Sequence, residues 1–275
     1  MTDNPFALDY VEPKQDDIFD AFDRERIDAS KPDHQPAKAA APKKEKDGHI
    51  TFHPELIQGS DEWLALRLGI LTASEIKHIL TAKTLKKSSN DRERQHVFDI
   101  LSQRITDYVE PHYVSDDMIR GRDDEIEARA QYAKHYAPVQ EVGFITNDRF
   151  GFTIGYSPDG LVGDDGLIEC KSRRAKYQVQ TIAENEVPEE FILQIQTGLL
   201  VSERKWIDFV SYSGGLPMFV KRVYPDPTIQ AAIIDAATDF EQRVEERARQ
   251  YHATIAAMPV LIPTERKIEQ EMFVG

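Results

Sequence analysis

Up to about residue 47 the apolar residues of this chain are scattered and unphased; from Ile50 onward they fall into periodic runs. Trp63, Leu64, Leu66 and Leu68 predict a short helix or turn that stops at Gly69. Thr72-Ala73-Ser74-Glu75 has the layout of a capping box and opens a helix through about Leu80. Lys83 to Asn90 is a polar loop. Val97, Ile100, Leu101, Ile105 and Tyr108 recur at helical spacing and predict an amphipathic helix over 91–108. Another helix is predicted over about 116–137, with Met118, Ile119, Ile126 and Ala130 facing inward. The pattern then shortens. Val139 to Thr146 and Phe150 to Tyr156 predict strands joined by a turn at Asn147-Asp148-Arg149. Leu161 to Ser172 holds two extended runs about Gly163-Asp164-Asp165-Gly166, a hairpin signal. Pro188 to Ser202 is helical, and Trp206 to Tyr212 and Met218 to Tyr224 are strands. A long helix runs from about Asp226 to Ala257 and ends before Pro259. This order predicts a mixed α/β domain around a central sheet.

Composition separates the two regions. Residues 1–47 are rich in Pro, Ala and charge, as in Ala37-Lys38-Ala39-Ala40-Ala41-Pro42-Lys43-Lys44, and cannot bury enough apolar area to offset ordering entropy. They read as a disordered tail ahead of a folded domain over 48–275. Ile18-Phe19-Asp20-Ala21-Phe22 is the one apolar cluster there that could dock on a partner. The net charge of -14 argues against a general nucleic-acid coat protein, yet it suits a protein that holds metal with carboxylates. The single cysteine, Cys170, excludes a disulfide framework and any Cys-rich zinc or iron–sulfur site. The eight histidines lack metal-ligand spacing. No apolar run approaches the roughly 18 residues of a membrane span, and the N-terminus lacks a signal-peptide layout. The expectation is a soluble, cytoplasmic protein.

The chemistry concentrates in Ser157-Pro158-Asp159 and Glu169-Cys170-Lys171, joined through the hairpin. Residues two apart share a face of a strand, so Glu169 and Lys171 point one way and Ile168 and Cys170 the other. The turn brings Asp159 beside Glu169. Two carboxylates and an ammonium suit a hard divalent cation such as magnesium, with the Cys170 backbone carbonyl as a third oxygen. Such an ion activates water and offsets phosphate charge, while Lys171 could orient or deprotonate that water. An exposed Glu–Lys pair on a surface hairpin is the ordinary alternative, and it contributes little.

These residues resemble the PD-(D/E)xK nuclease signature, with Pro158-Asp159 and Glu169-x-Lys171 in place. The resemblance is closer to the lambda-exonuclease-like branch, the YqaJ-type viral recombinases, and covers roughly residues 58–224. Four blocks carry it in order. They are Gly59-Ser60-Asp61-Glu62-Trp63-Leu64-Ala65-Leu66-Arg67-Leu68-Gly69 with Leu71-Thr72-Ala73-Ser74-Glu75; Gly121-Arg122-Asp123-Asp124-Glu125-Ile126-Glu127-Ala128-Arg129; Tyr156-Ser157-Pro158-Asp159-Gly160 with Leu167 to Ser172; and Leu193-Gln194-Ile195-Gln196-Thr197-Gly198-Leu199. The region 91–120 matches only loosely.

The resemblance implies a restriction-endonuclease-like α/β core, with a central mixed sheet flanked by helices. It implies Asp159, Glu169 and Lys171 as catalytic, Glu125 as the helix-borne acidic residue (Glu127 in the alternative register), and Gln196 as the active-site glutamine (Gln194 its rival). Arg67, Ser74 and Ser157 match positions that grip a 5′-terminal phosphate. It also implies Mg2+, with Mn2+ as a substitute, and 5′→3′ degradation of double-stranded DNA ends. A single-strand annealing protein, a homotrimeric ring and a phage or prophage origin complete the picture. A structure-specific or single-strand endonuclease and a non-catalytic DNA-binding protein are the competing readings. Cas4-type relatives are excluded by the lone cysteine. By pattern alone, Trp63 falls among leucines and reads as core, and Cys170 as a buried small hydrophobe.

Overall fold

The structure is a computed structural model in which residues 48–110 and 116–266 are described, residues 116–118 by backbone alone. The tail over 1–47 and its Ile18–Phe22 cluster lie outside the described residues. The elements follow the order β1 (Ile50–His53), α1 (Asp61–Arg67), β2 (Leu71–Thr72), a 3-10 turn (Ala73–Glu75), α2 (Ile76–Ile79), α3 (Asp91–Thr106) and α4 (Asp116–His135). They continue with β3 (Phe144–Asn147), β4 (Ile154–Tyr156), β5 (Gly160–Val162), β6 (Gly166–Ser172), α5 (Ala175–Glu184), α6 (Glu189–Ser202), β7 (Trp206–Tyr212), β8 (Phe219–Val223) and α7 (Pro227–Ala257). No helix among the described residues is long and apolar enough to cross a membrane.

The strands form two four-stranded sheets, β1-β3-β4-β2 and β5-β6-β7-β8, where one central sheet was expected. The break falls at Ser157-Pro158-Asp159, between consecutive strands β4 and β5. Pro158 has no N–H to give to a ladder, so the chain leaves one sheet there and enters the other. In the second sheet β5 and β6 form the expected hairpin, with Gly163 at φ 56° in its turn. β6 then pairs in parallel with β7, which places Glu169 opposite Phe209 and Lys171 opposite Ser211.

Both faces of β6 are covered. Leu167 joins a core with Tyr156, Leu193 and Phe209, while Ile168 and Cys170 pack with Ala128 and Tyr132 of α4. Helix α4 therefore buries Ala128 and Tyr132, whereas three residues expected to face inward do not: Ile119 and Ile126 are 51% and 59% exposed, and Ala130 is exposed; the fourth, the Met118 side chain, lies outside the described residues. The reason is geometric. Glu125, Ala128 and Tyr132 follow at i, i+3, i+7 along one stripe, and turning that stripe to the sheet turns Ile126 away.

Helix α4 is anchored by a polar clasp. The Tyr132 hydroxyl donates to Asp208 Oδ2 at 2.6 Å, and Arg222 donates to both Asp208 oxygens at 2.8 and 2.9 Å. Replacing Asp208 by alanine should strand a buried phenol and the guanidinium. We expect a loss of roughly 2–4 kcal/mol, below the fully buried case because Arg222 is partly open to water. Chemical denaturation checks it, and an unchanged midpoint would show that the clasp holds nothing.

Two expected strands are shorter than their apolar runs: that from Val139 begins only at Phe144, and that from Phe150 only at Ile154. Val139 to Gly143 makes only an isolated bridge, Gln140 with Leu161. Its carbonyls are taken by side chains instead: Trp63 donates to Gly143 and Gln58 to Val142. Helix α5 was not expected, and its larger apolar residues Tyr177, Val179 and Ile182 are exposed. Its buried residues are Gln178 and Thr181, and Gln178 exchanges hydrogen bonds with Ser211.

Candidate active site

Glu169, Lys171, Asp159 and Glu125 come together where β5, β6 and α4 meet. Glu169 is 1% exposed and accepts from three donors. Lys171 Nζ lies 2.6 Å from Oε1, the Gln194 amide donates to the same oxygen, and the Tyr156 hydroxyl donates to Oε2 at 2.6 Å. Asp159 is half-buried and accepts from the Cys170 amide at 2.6 Å. For Cys170 it is the N–H, therefore, that touches a site carboxylate. Its thiol is buried, as expected.

The electrostatics are those of an anionic cluster short of countercharge. Burial and then the Glu169 carboxylate push Asp159 well above the usual carboxylate range, against Lys171. Burial also pushes Glu125 up, and Glu169 adds to it while Lys171 opposes. Burial pulls the Lys171 ammonium down, but Glu169 and Asp159 outweigh it and hold the lysine above its ordinary value. Among the described residues no three His, Cys, Asp or Glu side chains converge in a metal-ligand geometry. Both oxygens of Glu169 and one of Asp159 are turned to protein donors instead. The donor set still fits a hard divalent cation, since three hard-oxygen carboxylates face one lysine and strain against one another's charge.

Of the two register choices on α4, Glu125 is half-buried in the cluster, whereas Glu127 is exposed and bonded to Gln131. The glutamine expected in the site is corrected. Gln196 is buried elsewhere; its amide donates to the Tyr224 carbonyl and its oxygen accepts from the Asp226 amide, so it holds the entry to α7. Gln194, two residues earlier and half-buried, reaches Glu169. On a helix, positions two apart point about 200° apart, so only one of the pair can face the sheet. Tyr156 was missed; it carried a signal only as the residue before Ser157-Pro158-Asp159.

A second feature adjoins the first through the chain. Arg67 on α1 donates to Ser157 Oγ at 2.9 Å and stacks over the Trp63 ring at 4.1 Å. The Trp63 indole N–H reaches Ser157 Oγ at 3.1 Å and the Gly143 carbonyl at 3.0 Å. Trp63 is thus a wall of this pocket rather than core, and α1 has no buried residue at all. Its neighbouring leucines do not form the core that the sequence suggested. Ser157 Oγ accepts twice, which uses both lone pairs and leaves its own hydrogen to donate outward. No carboxylate lies within ion-pair distance of Arg67 among the described residues, and burial holds the guanidinium below the usual arginine value, against a smaller pull from Glu75. A half-buried guanidinium beside a hydroxyl donor is a chemistry that could hold an anion.

Ser74 stands nearby but is not joined to Arg67. β2 and β4 are parallel, with Thr72 opposite Gly155, so Ser74 and Ser157 leave the same end of adjacent strands. The Ser74 hydroxyl lies 3.3 Å from that of Thr72, and Glu75 reaches back to the Thr72 amide at 2.8 Å, as the capping box predicts.

The profile of the YqaJ-like viral recombinase domain matches residues 62–205, which spans every residue named in the two features. The structure is similar to an alkaline exonuclease, LHK-Exo from Laribacter hongkongensis, with a TM-score of 0.60 and 30% identity over 71% of this chain and 100% of that one. The same exonuclease in complex with dAMP matches at 0.60 and 31% identity, with equal coverage. A phage related exonuclease from Haemophilus somnus 129PT matches at 0.47 and 12% identity, over 68% of this chain and 98% of that one. No match was found among curated proteins. The core is of the PD-(D/E)xK type, and the chain belongs to the YqaJ-like viral recombinase family of nucleases.

Proposed function

We propose that this chain is a divalent-cation-dependent exonuclease that degrades the 5′-ended strand of double-stranded DNA ends. The observation that carries this reading is the short link between the anion pocket and the carboxylate cluster. Ser157 and Asp159 are two residues apart, at most about 7 Å along the chain. A terminal 5′-phosphate held by Arg67 and Ser157 would set the next phosphodiester at the carboxylates. Successive cuts at that spacing release single nucleotides, the class of molecule that LHK-Exo holds in its dAMP complex.

Asp159, Glu169 and Glu125 would hold the cation, with the Cys170 carbonyl as a further oxygen, and Mg2+ is our choice with Mn2+ as substitute. A bound cation would lower the pKa of a water and offset charge on the scissile phosphate. Lys171, kept protonated by its carboxylate neighbours, sets a positive charge beside that phosphate. Gln194 and Tyr156 keep Glu169 in place. In this reading a single-strand annealing protein takes up the 3′-ended product, and a homotrimeric ring encloses the DNA while the acidic exterior faces solvent. A phage-encoded protein acting in the bacterial cytoplasm fits the family.

Digestion with Mg2+ tests the polarity and the end requirement together. Linear duplex with 5′-phosphates should lose its 5′-ended strands and leave 3′ single strands. A covalently closed circle should survive. A cut circle would instead make this an endonuclease, and a duplex left whole under all ions would make it a binding protein.

A further inference from the structure

Three consecutive residues join the Arg67–Ser157 pair to the carboxylate cluster, and each is held by side chains from elsewhere in the sequence. Ser157 Oγ accepts from Arg67 and from the Trp63 indole. The Pro158 carbonyl accepts from the Gln58 amide at 2.8 Å. The Asp159 carbonyl accepts from Arg129 of α4 at 3.3 Å. Pro158 lies between β4 and β5, outside both ladders, so a side chain does there what strand pairing does on either side. Gln58 is itself seated. Its amide also lies 3.4 Å from the Val142 carbonyl. A Cβ on Gly143 would stand 2.2 Å from the Leu56 carbonyl, so the glycine is what lets the segment before Gln58 lie against the chain at 142–143. Gln58 and Trp63 thus bridge the same two stretches, Gln58 from Val142 to Pro158 and Trp63 from Gly143 to Ser157.

We propose that Gln58 is a positioning residue that couples the Arg67–Ser157 pair to the carboxylate cluster. By holding the Pro158 carbonyl it keeps Ser157 and Asp159 at one separation, so a phosphate gripped at Ser157 sets the scissile bond at Asp159. A contact remote from the chemistry raises the rate only where it is transmitted to the reacting atoms; across a loose link the same contact gives affinity alone. A misplacement of about 1 Å can cost on the order of 10²-fold. Both acceptors of Gln58 are main-chain carbonyls, and neither belongs to a residue of the grip or of the cluster, so its part is to place the chain. The inference rests on the exonuclease reading above and adds the residue that links its two features.

Single-turnover cleavage by the full chain on linear duplex with 5′-phosphate or 5′-hydroxyl ends tests it, with duplex binding measured apart, without divalent ion. Gln58→Met keeps the length of the side chain and removes the donor; Gln58→Ala is the second variant. Both kinds of end are cut by one preparation, so any loss of folded protein cancels in their ratio. The maximal rate on phosphorylated ends should fall about tenfold, the order of one positioning hydrogen bond. On hydroxyl ends, which the grip does not place, it should stay within about twofold. Affinity for phosphorylated duplex should also hold within about twofold, because Arg67 and Ser157 still meet the phosphate. An unaltered ratio of maximal rates overturns the proposal. So does a loss confined to affinity, which would make Gln58 part of the grip. In either case a wild type that prefers phosphorylated ends leaves the exonuclease reading standing, whereas a wild type without that preference removes both.

Discussion

Asp159→Asn should slow DNA cleavage by roughly a thousandfold or more while leaving the fold at least as stable as before. The rate follows from losing a charged oxygen ligand in a site whose catalysis is electrostatic; removing one such element costs on the order of 10²–10³ at least. The stability follows from the same charges. Burial and then the Glu169 carboxylate already hold Asp159 well above the ordinary range. Its ionised form is therefore a burden on the metal-free fold. Asparagine keeps an oxygen to accept from the Cys170 amide and removes the charge. The sign also sets a pH dependence. A carboxyl with a raised folded pKa binds a proton that the unfolded chain releases, so the metal-free protein should lose stability as pH rises above the usual aspartate range. The Asp159→Asn variant should flatten that slope, and added divalent ion should oppose it in the wild type. Thermal melts over pH, with single-turnover cleavage of linear duplex, measure all of this. Wild-type cleavage by the variant would take Asp159 out of the mechanism.

Arg67→Ala should cost roughly 10–100-fold on 5′-phosphorylated ends and much less on 5′-hydroxyl ends. A charge-assisted hydrogen bond contributes about 1.5–3 kcal/mol, and Arg67 is the guanidinium that reaches Ser157. The ratio of the two rates, not either rate alone, reports the pocket. Lysine should not rescue the loss. Arg67 lies flat over Trp63 while it reaches Ser157, and a single ammonium cannot both stack on the ring and present a planar fork. Equal losses on the two kinds of end would sink the phosphate-pocket idea and leave Arg67 as a prop for α1.

The juxtaposition of the candidate carboxylates and lysine was legible because it depends on short-range order. Strand alternation puts Glu169 and Lys171 on one face, and the Gly163–Asp165 turn returns the chain to Asp159. These are local constraints, and a sequence states them directly. Gln194 against Gln196 could not be settled in the same way. Both glutamines sit on one helix, and the choice depends on which face α6 turns to the sheet, where Tyr156 lies against Gly198. Trp63 departs from its expected place for a similar reason. Its leucine neighbours give an apolar run, yet α1 buries none of them, because the helix serves as a wall over Ser157 rather than as a layer of the core.

The sequence by itself determined the hairpin, the longer helices, and the paired carboxylates with their lysine, since each follows from backbone period, turn chemistry or residue type within a few dozen positions. Only the tertiary structure decided that the sheet divides at Pro158, that Tyr156 holds one oxygen of Glu169, and that Arg67 meets Ser157 across 90 residues. Those contacts form between elements distant in sequence. They depend on which faces pack, and packing is chosen by the whole core at once.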